Sequence, residues 1–332
     1  MLRLLSNKNI YATILQEMAT FSKLRWVLDV SIFNGEASGS ESYGFLGQSG
    51  VLRRKTGDPQ FQKMPSGKLE ISGLEYEAGL RIPQRDIDND QSGAVMRAIQ
   101  GFVERQRSFW VRMASDLIMS GQTTVGYDGV AFFGAGHAFG GDGSWAGNNN
   151  LLQISLAGIP GITAGSLANP TTEALEYILR KGLEKMFEAV DKDGEPVNET
   201  ARQFIFVIPT RYLMTVQDAV TTPTFSTGKH NALYAMQTAG EDRGFQFEVV
   251  PNVRFNSTFN DKICILRRDG SEAKPFILQE EPHAGQRGPA LKHLDETSDH
   301  WKLNDEHLYR LYTIRGGGYG EPNHALLIDL DA

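Results

Sequence analysis

The sequence predicts a mixed α+β protein that works as one piece of an assembly. Three observations lead there. Residues 74–82 alternate apolar and polar side chains, residues 92–120 repeat apolar side chains at helical spacing, and residues 166–332 read as helices and strands in alternation. With 332 residues, the chain suits one large domain or two of ordinary size. Its 40% hydrophobic and 22% charged residues are typical of a folded chain. A chain this long hides about three quarters of its unfolded surface, so it needs no disulfide or metal for stability. The lone Cys264 excludes an internal disulfide and a Cys-rich zinc site.

Residues 1–50 carry a short helical pattern at Tyr11, Ile14, Leu15 and Met18, then a Gly/Ser tract from Gly35 to Ser42. Such a segment reads as an arm lying along something else. Residues 51–66 are polar, basic and turn-rich. From there Leu74, Tyr76, Ala78, Leu80 and Ile82 point one way and Glu75, Glu77 and Arg81 the other. That is a strand with one covered face. Leu69 and Ile71 fall in the opposite phase, which predicts a bulge at Ser72-Gly73. A hairpin built from 51–91 would reach roughly 50 Å at about 3.3 Å per residue. So long a ribbon is marginal alone in water and needs a partner surface.

The long helix over 92–120 has Asp90 or Ser92 as its cap. Val95, Met96, Ile99, Phe102, Val103, Phe109, Trp110, Met113 and Leu117 form its apolar stripe, and Gly121 ends it. Arg97, Arg105, Arg107 and Arg112 ride on it and read as a solvated face. Residues 121–165 hold 12 glycines in 45 positions, a loop length that is functional or held by a partner. A second helix runs from Thr172 to Val190, with Leu175, Ile178, Leu179, Gly182, Leu183, Met186, Phe187 and Val190 inward. Strands follow at 203–208, 245–250, 262–266, 275–279, 308–315 and 325–330, with a helix over 211–220 between the first two.

The net charge of −7 is uneven. Residues 1–112 hold 15 Lys and Arg against 12 Asp and Glu, and residues 113–332 hold 18 against 28. An acidic chain without a basic stripe is a poor tight binder of nucleic acid. No unbroken apolar run approaches the ~18 residues of a membrane span, and Met1–Ser6 is too short for a signal peptide.

Catalytic patterns are missing. There is no nucleophile elbow, and Gly228-Lys229 is followed by His230 where a phosphate loop needs Ser or Thr. His137 lies near Asp128 and Asp142, which suggests a hydrolytic metal site, but hydrogen bonding that shapes a loop fits these residues better. His293, His300 and His307 are seven apart without apolar helical periodicity, so their spacing predicts no shared role. Asp191 to Glu195 reads as a charged turn, since its glycine comes too early for a calcium loop. Cys264 sits in an apolar strand and reads as a small buried residue. No catalytic, cofactor-binding or metal-binding residue is assigned, and no cofactor is expected.

The order of motifs resembles the major head subunit family of Mu-like phages, the gpT family. Glu41-Ser42-Tyr43-Gly44-Phe45-Leu46-Gly47 resembles that family's "Y-x-hydrophobic-Leu-Gly". The strand ending in Arg85-Asp86-Ile87-Asp88-Asn89-Asp90 is similar to its "D-I-x-D-D", and Tyr127-Asp128-Gly129-Val130-Ala131-Phe132-Phe133 to its "Y-D-G-x-x-F-F". The likeness is densest over about 41–150. The chain departs from the family at Gly134-Ala135-Gly136, where an acidic stretch is usual, and at Asn89, which replaces an acid.

The resemblance implies the Hong Kong 97 type of tailed-phage major capsid fold and no enzymatic activity. Residues 1–50 would be the N-terminal arm and 51–91 the extended loop, a β-hairpin. Residues 92–169 would begin the peripheral domain, with the spine helix at 92–120 and the Gly-rich loop. Residues 170–270 would form the axial domain and 271–332 complete the peripheral domain. Implied partners are further copies, in pentamers and hexamers of an icosahedral shell, with scaffold, portal or decoration proteins. The shell would enclose double-stranded DNA without sequence-specific binding, as part of a virion assembled in the bacterial host cytoplasm. Lys55, Lys63 and Lys68 lie in the extended loop, and no covalent crosslink is expected from them. Two alternatives remain: a nanocompartment shell of the same fold around a protein cargo, and a metal-dependent hydrolase around His137.

Overall fold

The computed structural model describes residues 25–46, 66–90, 93–138, 146–240, 244–255, 257–270, 273–282, 289–294 and 296–331. In chain order, helix α1 (Arg25–Asp29) leads to strands β1 (Ser31–Asn34), β2 (Ser40–Leu46), β3 (Ser66–Ser72) and β4 (Leu74–Pro83). Helices α2 (Gln84–Asp88) and α3 (Ala94–Ser120) follow, then the short strands β5 (Ala135–His137), β6 (Asn148–Asn149), β7 (Leu151–Ser155), β8 (Gly165–Ser166) and β9 (Asn169–Pro170). Next come α4 (Thr172–Phe187), β10 (Gln203–Pro209), α5 (Leu213–Thr221), α6 (Ala232–Gln237), β11 (Gln246–Asn252) and β12 (Lys262–Arg267). The chain ends with β13 (Phe276–Glu280), β14 (Ala290–Leu294), α7 (Asp299–Asn304), β15 (Glu306–Tyr319) and β16 (Ala325–Asp331).

Two five-stranded sheets organise these elements. In the first, β15 pairs with β4 along one side, and with β13 and β14 along its length, while β1 adds to β13 in parallel. The second runs β11-β10-β12-β16-β7. Sequence reasoning groups 325–330 with the strands just before it. The structure instead pairs β16 with β12 and β7, inside the second sheet. Residues 151–155 join that sheet as well.

The second sheet is buried on both faces, as its unbroken apolar strands require. Phe204, Phe206 and Ile208 of β10 face the helical layer with Leu175, Ile178, Leu179 and Leu183 of α4. Ile205 and Val207 face the other way, onto Cys264, Leu327, Phe132, Phe133 and Ile118. Period two thus feeds two cores from one strand. Helix α4 can approach closely because a Cβ at Gly182 would lie 2.6 Å from Ile265 and 2.8 Å from Ile328. Thr171 caps its first turn by accepting from the Ala174 N–H at 3.3 Å. Cys264 is buried in β12, as expected, and burial pushes its thiol pKa far up.

Helix α3 is 27 residues long, about 40 Å at 1.5 Å per residue. Val95, Ile99, Val103, Trp110, Ala114 and Ile118 form its buried side. Asp90 caps it, accepting from the N–H groups of Ala94 at 2.9 Å and Val95 at 3.1 Å. One expectation fails here: Arg107 is buried, whereas Arg97, Arg105 and Arg112 stay on the exposed face. Alternation along β4 holds, but its partner is β15, in the register Leu74↔Arg315 to Pro83↔Glu306.

The change of phase before β4 is a change of sheet and not a bulge. β3 pairs with β2, from Ser40↔Ser72 to Leu46↔Ser66, and β4 with β15. The hairpin expected wholly within 51–91 therefore takes its first limb from residues 40–46, inside the stretch read as an arm. Period two told which side chains share a face. It carried no information on which strand lies alongside. Residues 47–65, with Lys55 and Lys63, lie outside the described residues.

Candidate functional site

The β2–β3 ribbon leaves the body of the protein at one place, and that root is the most highly built polar site in the first sheet. At the crossing, the Gly73 N–H donates to the Gly39 carbonyl at 2.8 Å. A Cβ on Gly73 would lie 2.6 Å from Ile314 and 2.8 Å from the same carbonyl, so only glycine fits. Gln279, buried in β13, ties the two limbs together. Its Nε2 donates to the Ile71 carbonyl at 3.0 Å, and its Oε1 accepts from the Tyr43 hydroxyl at 2.9 Å. That hydroxyl accepts in turn from Asn34 Nδ2 at 3.1 Å. Burial raises the Tyr43 pKa, so the phenol stays a neutral donor. Glu281 Oε2 accepts from the Gly39 N–H at 3.1 Å.

Apolar contact completes the root. Ile71 lies over Gly316 and Gly318 of β15, where a Cβ would come within 3.0 Å and 2.4 Å of it. The opposite side of the strand receives Met113 and Leu117 of α3, which stand 2.9 Å and 3.3 Å from a Cβ on Gly317. The Gly316-Gly317-Gly318 run therefore lets a helix and a ribbon press on one strand from opposite faces. Glycine inside a strand commonly marks such an approach.

Beside this seat lies a buried ion pair. Arg315 Nε donates to Glu280 Oε1 at 2.8 Å, with the two side chains 3% and 2% exposed. The Thr313 hydroxyl donates to the same oxygen at 2.8 Å. The guanidinium covers the Trp110 ring at 4.5 Å and the Phe109 ring at 5.2 Å. Arg315 thereby joins β13, β15 and α3 in one contact set.

The glycine-rich loop after α3 is held by its own polar residues. His137 Nδ1 and Asp128 Oδ2 are 2.5 Å apart with both side chains buried, and Asp128 Oδ1 accepts from the Val130 N–H at 3.2 Å. Tyr127 donates to Glu321 Oε2 at 3.1 Å, and burial, followed by the Glu321 charge, raises its pKa strongly. Asn150 donates to the carbonyls of Phe132 at 2.7 Å and Pro322 at 3.0 Å, and accepts from the Gly134 N–H at 2.9 Å. Asn148 bonds to Val190 and Asn323. The pairing of His137 with Asp128 is loop-shaping hydrogen bonding. Asp142 lies outside the described residues. Among the described residues no group of three His, Cys, Asp or Glu side chains is placed to hold a metal.

Other sequence candidates fall as follows. Asp191 Oδ1 accepts from the N–H groups of Asp193 at 2.8 Å and Glu195 at 2.9 Å, the expected charged turn. Lys68 is exposed on β3, and Lys229 pairs with Glu173 at 2.5 Å. The structure does bring His293 and His307 together, 3.2 Å apart, and places His300 3.5 Å from Glu306. Antiparallel pairing of β14 with β15 sets His293 opposite Tyr309, two positions from His307. Sequence reasoning missed Gln279, Glu280 and Arg315. Its one available signal was the three-glycine run just beyond the expected end of β15.

A ribbon rooted on a helix-backed sheet, joined to a second α/β lobe, defines the class: the fold is that of phage major capsid proteins. The capsid structure of cyanophage P-SCSP1u is similar, with 12% identity, 92% of this chain and 87% of that chain covered, and a TM-score of 0.53. So is the mature capsid of bacteriophage PhiM1, with 12% identity, 92% and 86% covered, and a TM-score of 0.54. A structure from Mycobacterium phage Patience matches at 9% identity, 99% and 89% covered, with a TM-score of 0.50. No curated protein matches the chain by sequence. The model of the Mu-like prophage major head subunit gpT family matches residues 13–155, so that segment of the chain is similar to this family. The resemblance read from the motifs between Glu41 and Phe133 is borne out.

Proposed function

We propose that this chain is a major capsid protein whose copies form pentamers and hexamers and close into an icosahedral shell around double-stranded DNA. The β2–β3 ribbon carries the reading. Its two limbs pair only with each other over 40–46 and 66–72 among the described strands, while its root is locked by Gln279, Ile71 and the glycine run. A locked base under a two-stranded projection suits a limb that lies on a neighbouring copy, because an isolated ribbon is marginal in water. Many such contacts together stabilise a shell even when each is weak.

In this reading α3 is the spine helix, and the first sheet with α3 is the peripheral domain. Helices α4–α6 on the second sheet form the axial domain. The extended loop begins at β2, and the chain before it is the arm. The net negative charge fits a wall that contains DNA without gripping it. Scaffold, portal and decoration proteins are the expected partners, and assembly takes place in the cytoplasm of the bacterial host before the shell becomes part of a virion. Lys68 forms no crosslink in this account.

Replacing residues 47–65 by a short Gly-Ser turn tests the reading. The expected product is a folded subunit that forms no closed shells in electron micrographs. Normal shells from this variant would overturn the role given to the ribbon.

A further inference from the structure

Asn34 ends β1, and Gly35 follows it in the chain's one Asn-Gly pair. An asparagine before glycine is open to attack by its own backbone, because no Cβ shields the glycine nitrogen from the side-chain amide carbon. Local geometry helps. The ladder between β1 and β13 stops at Asn34↔Gln279, so it does not hold Gly35. Asn34 Oδ1 accepts from the Glu36 N–H at 3.1 Å. That bond keeps the amide carbon beside the chain and favours negative charge on its oxygen as a nucleophile adds. Both residues are half-buried, so water reaches them.

The same side chain begins the relay that secures the ribbon. Asn34 Nδ2 donates to the Tyr43 hydroxyl at 3.1 Å, and that hydroxyl donates to Gln279 Oε1 at 2.9 Å. Gln279 Nε2 donates to the Ile71 carbonyl at 3.0 Å. The order of donors runs from β1 through β2 and β13 to β3, and it starts from an amide hydrogen on Asn34.

We propose that Asn34 is a self-modification site, which deamidates to aspartate and isoaspartate and thereby loosens the root of the β2–β3 ribbon. The Gly35 nitrogen gives its proton to water and bonds to Asn34 Cγ. The Cγ–Nδ2 bond breaks, and ammonia leaves with a proton taken from water. Water then opens the cyclic imide at either carbonyl, giving aspartate or isoaspartate. The sum is one water consumed and one ammonia released, with no oxidation or reduction.

The new carboxylate has no hydrogen to donate. Tyr43 then faces two acceptors with one hydroxyl hydrogen. The carboxylate takes it, since a charge-assisted bond is the stronger one. Gln279 Oε1 loses the partner that fixes its amide, and the tie to Ile71 slackens. Opening to isoaspartate also lengthens the backbone by one carbon between β1 and β2.

Peptide mapping by mass spectrometry of the full-length protein, aged at neutral and at mildly alkaline pH, tests the site. Asn34 is expected to convert ahead of every other described asparagine, and faster at alkaline pH, because the glycine nitrogen must lose its proton. Enzymatic methylation of isoaspartate marks the product. In Gly35→Ala the added Cβ meets only the edge of the Phe33 ring, at 3.3 Å, so the fold is kept and the lead of Asn34 should be lost. Hydrogen exchange reads the consequence. In Asn34→Asp, and in aged wild type, amides of 40–46 and 66–72 should exchange about twofold to tenfold faster, the worth of one hydrogen bond. Exchange across β10 and β12 should not change. If Asn34→Asp fails to fold, the aged wild type carries this comparison alone. Asn34 kept as an amide while other asparagines convert would overturn the site. Unchanged ribbon exchange after conversion would overturn its link to the root.

Discussion

Arg315 lies on β15 between the glycine run and the strand's outer half, and both its charge and its plane are used. Its Nε meets Glu280, and its guanidinium face covers Trp110. A buried pair gains little over an apolar isostere, but a single orphaned charge is costly. Arg315→Met should therefore destabilise the subunit by about 3–5 kcal/mol, read from denaturant unfolding. Adding Glu280→Leu should recover much of that loss. Equal instability of the single and double variants would show that stacking on Trp110, and not the ion pair, carries the contribution. This site was illegible in the sequence because a charged residue in a period-two strand reads as facing water. Its partner, Glu280, is 35 positions away. Asp128 and His137 were legible as a pair, since they sit nine positions apart in one glycine-rich loop. That nearness gave their contact and no chemistry.

At the scale of elements, the chain announces itself where periodicity is long. Helix α3 begins and ends within two residues of its expected bounds, because a 27-residue stripe with Asp90 before it and Gly121 after it leaves few alternatives. Strands β10, β11, β12 and β16 of the second sheet were found as short apolar runs, whereas β7 lay inside the stretch read as a glycine-rich loop. Partners were not found. Leu69 and Ile71 were seen to be out of phase with Leu74, yet the cause, a strand passing from one sheet to another at Gly73, depends on contacts with residues 40–46 and 306–315. Ile71 is the clearest test of that crossing, since it fills the seat above Gly316 and Gly318. Ile71→Ala should cost about 2–5 kcal/mol if the seat is part of the core, with faster amide exchange concentrated in 40–46 and 66–72. A variant with unchanged exchange in the ribbon would separate the ribbon from the glycine seat.

The whole molecule combines a double-sided α/β lobe, a long helix on a second sheet, and a ribbon whose root is far better secured than a free hairpin would need. Cores on both faces of the second sheet and across Phe132, Phe276 and Tyr319 make the body stable by burial. Among the ribbon residues whose burial is described, Ile71 is the one that is buried. In the proposed function the ribbon's value lies in what it meets outside the subunit. The sequence carried this as an excess of strand over partner surface, and the fold gives the excess a fixed point of origin. Sedimentation of the purified full-length protein, alone and with the products of its neighbouring genes, tests the account most directly. The account predicts discrete pentamers and hexamers or particles in the megadalton range. A strict monomer of 36.8 kDa under every condition would contradict it.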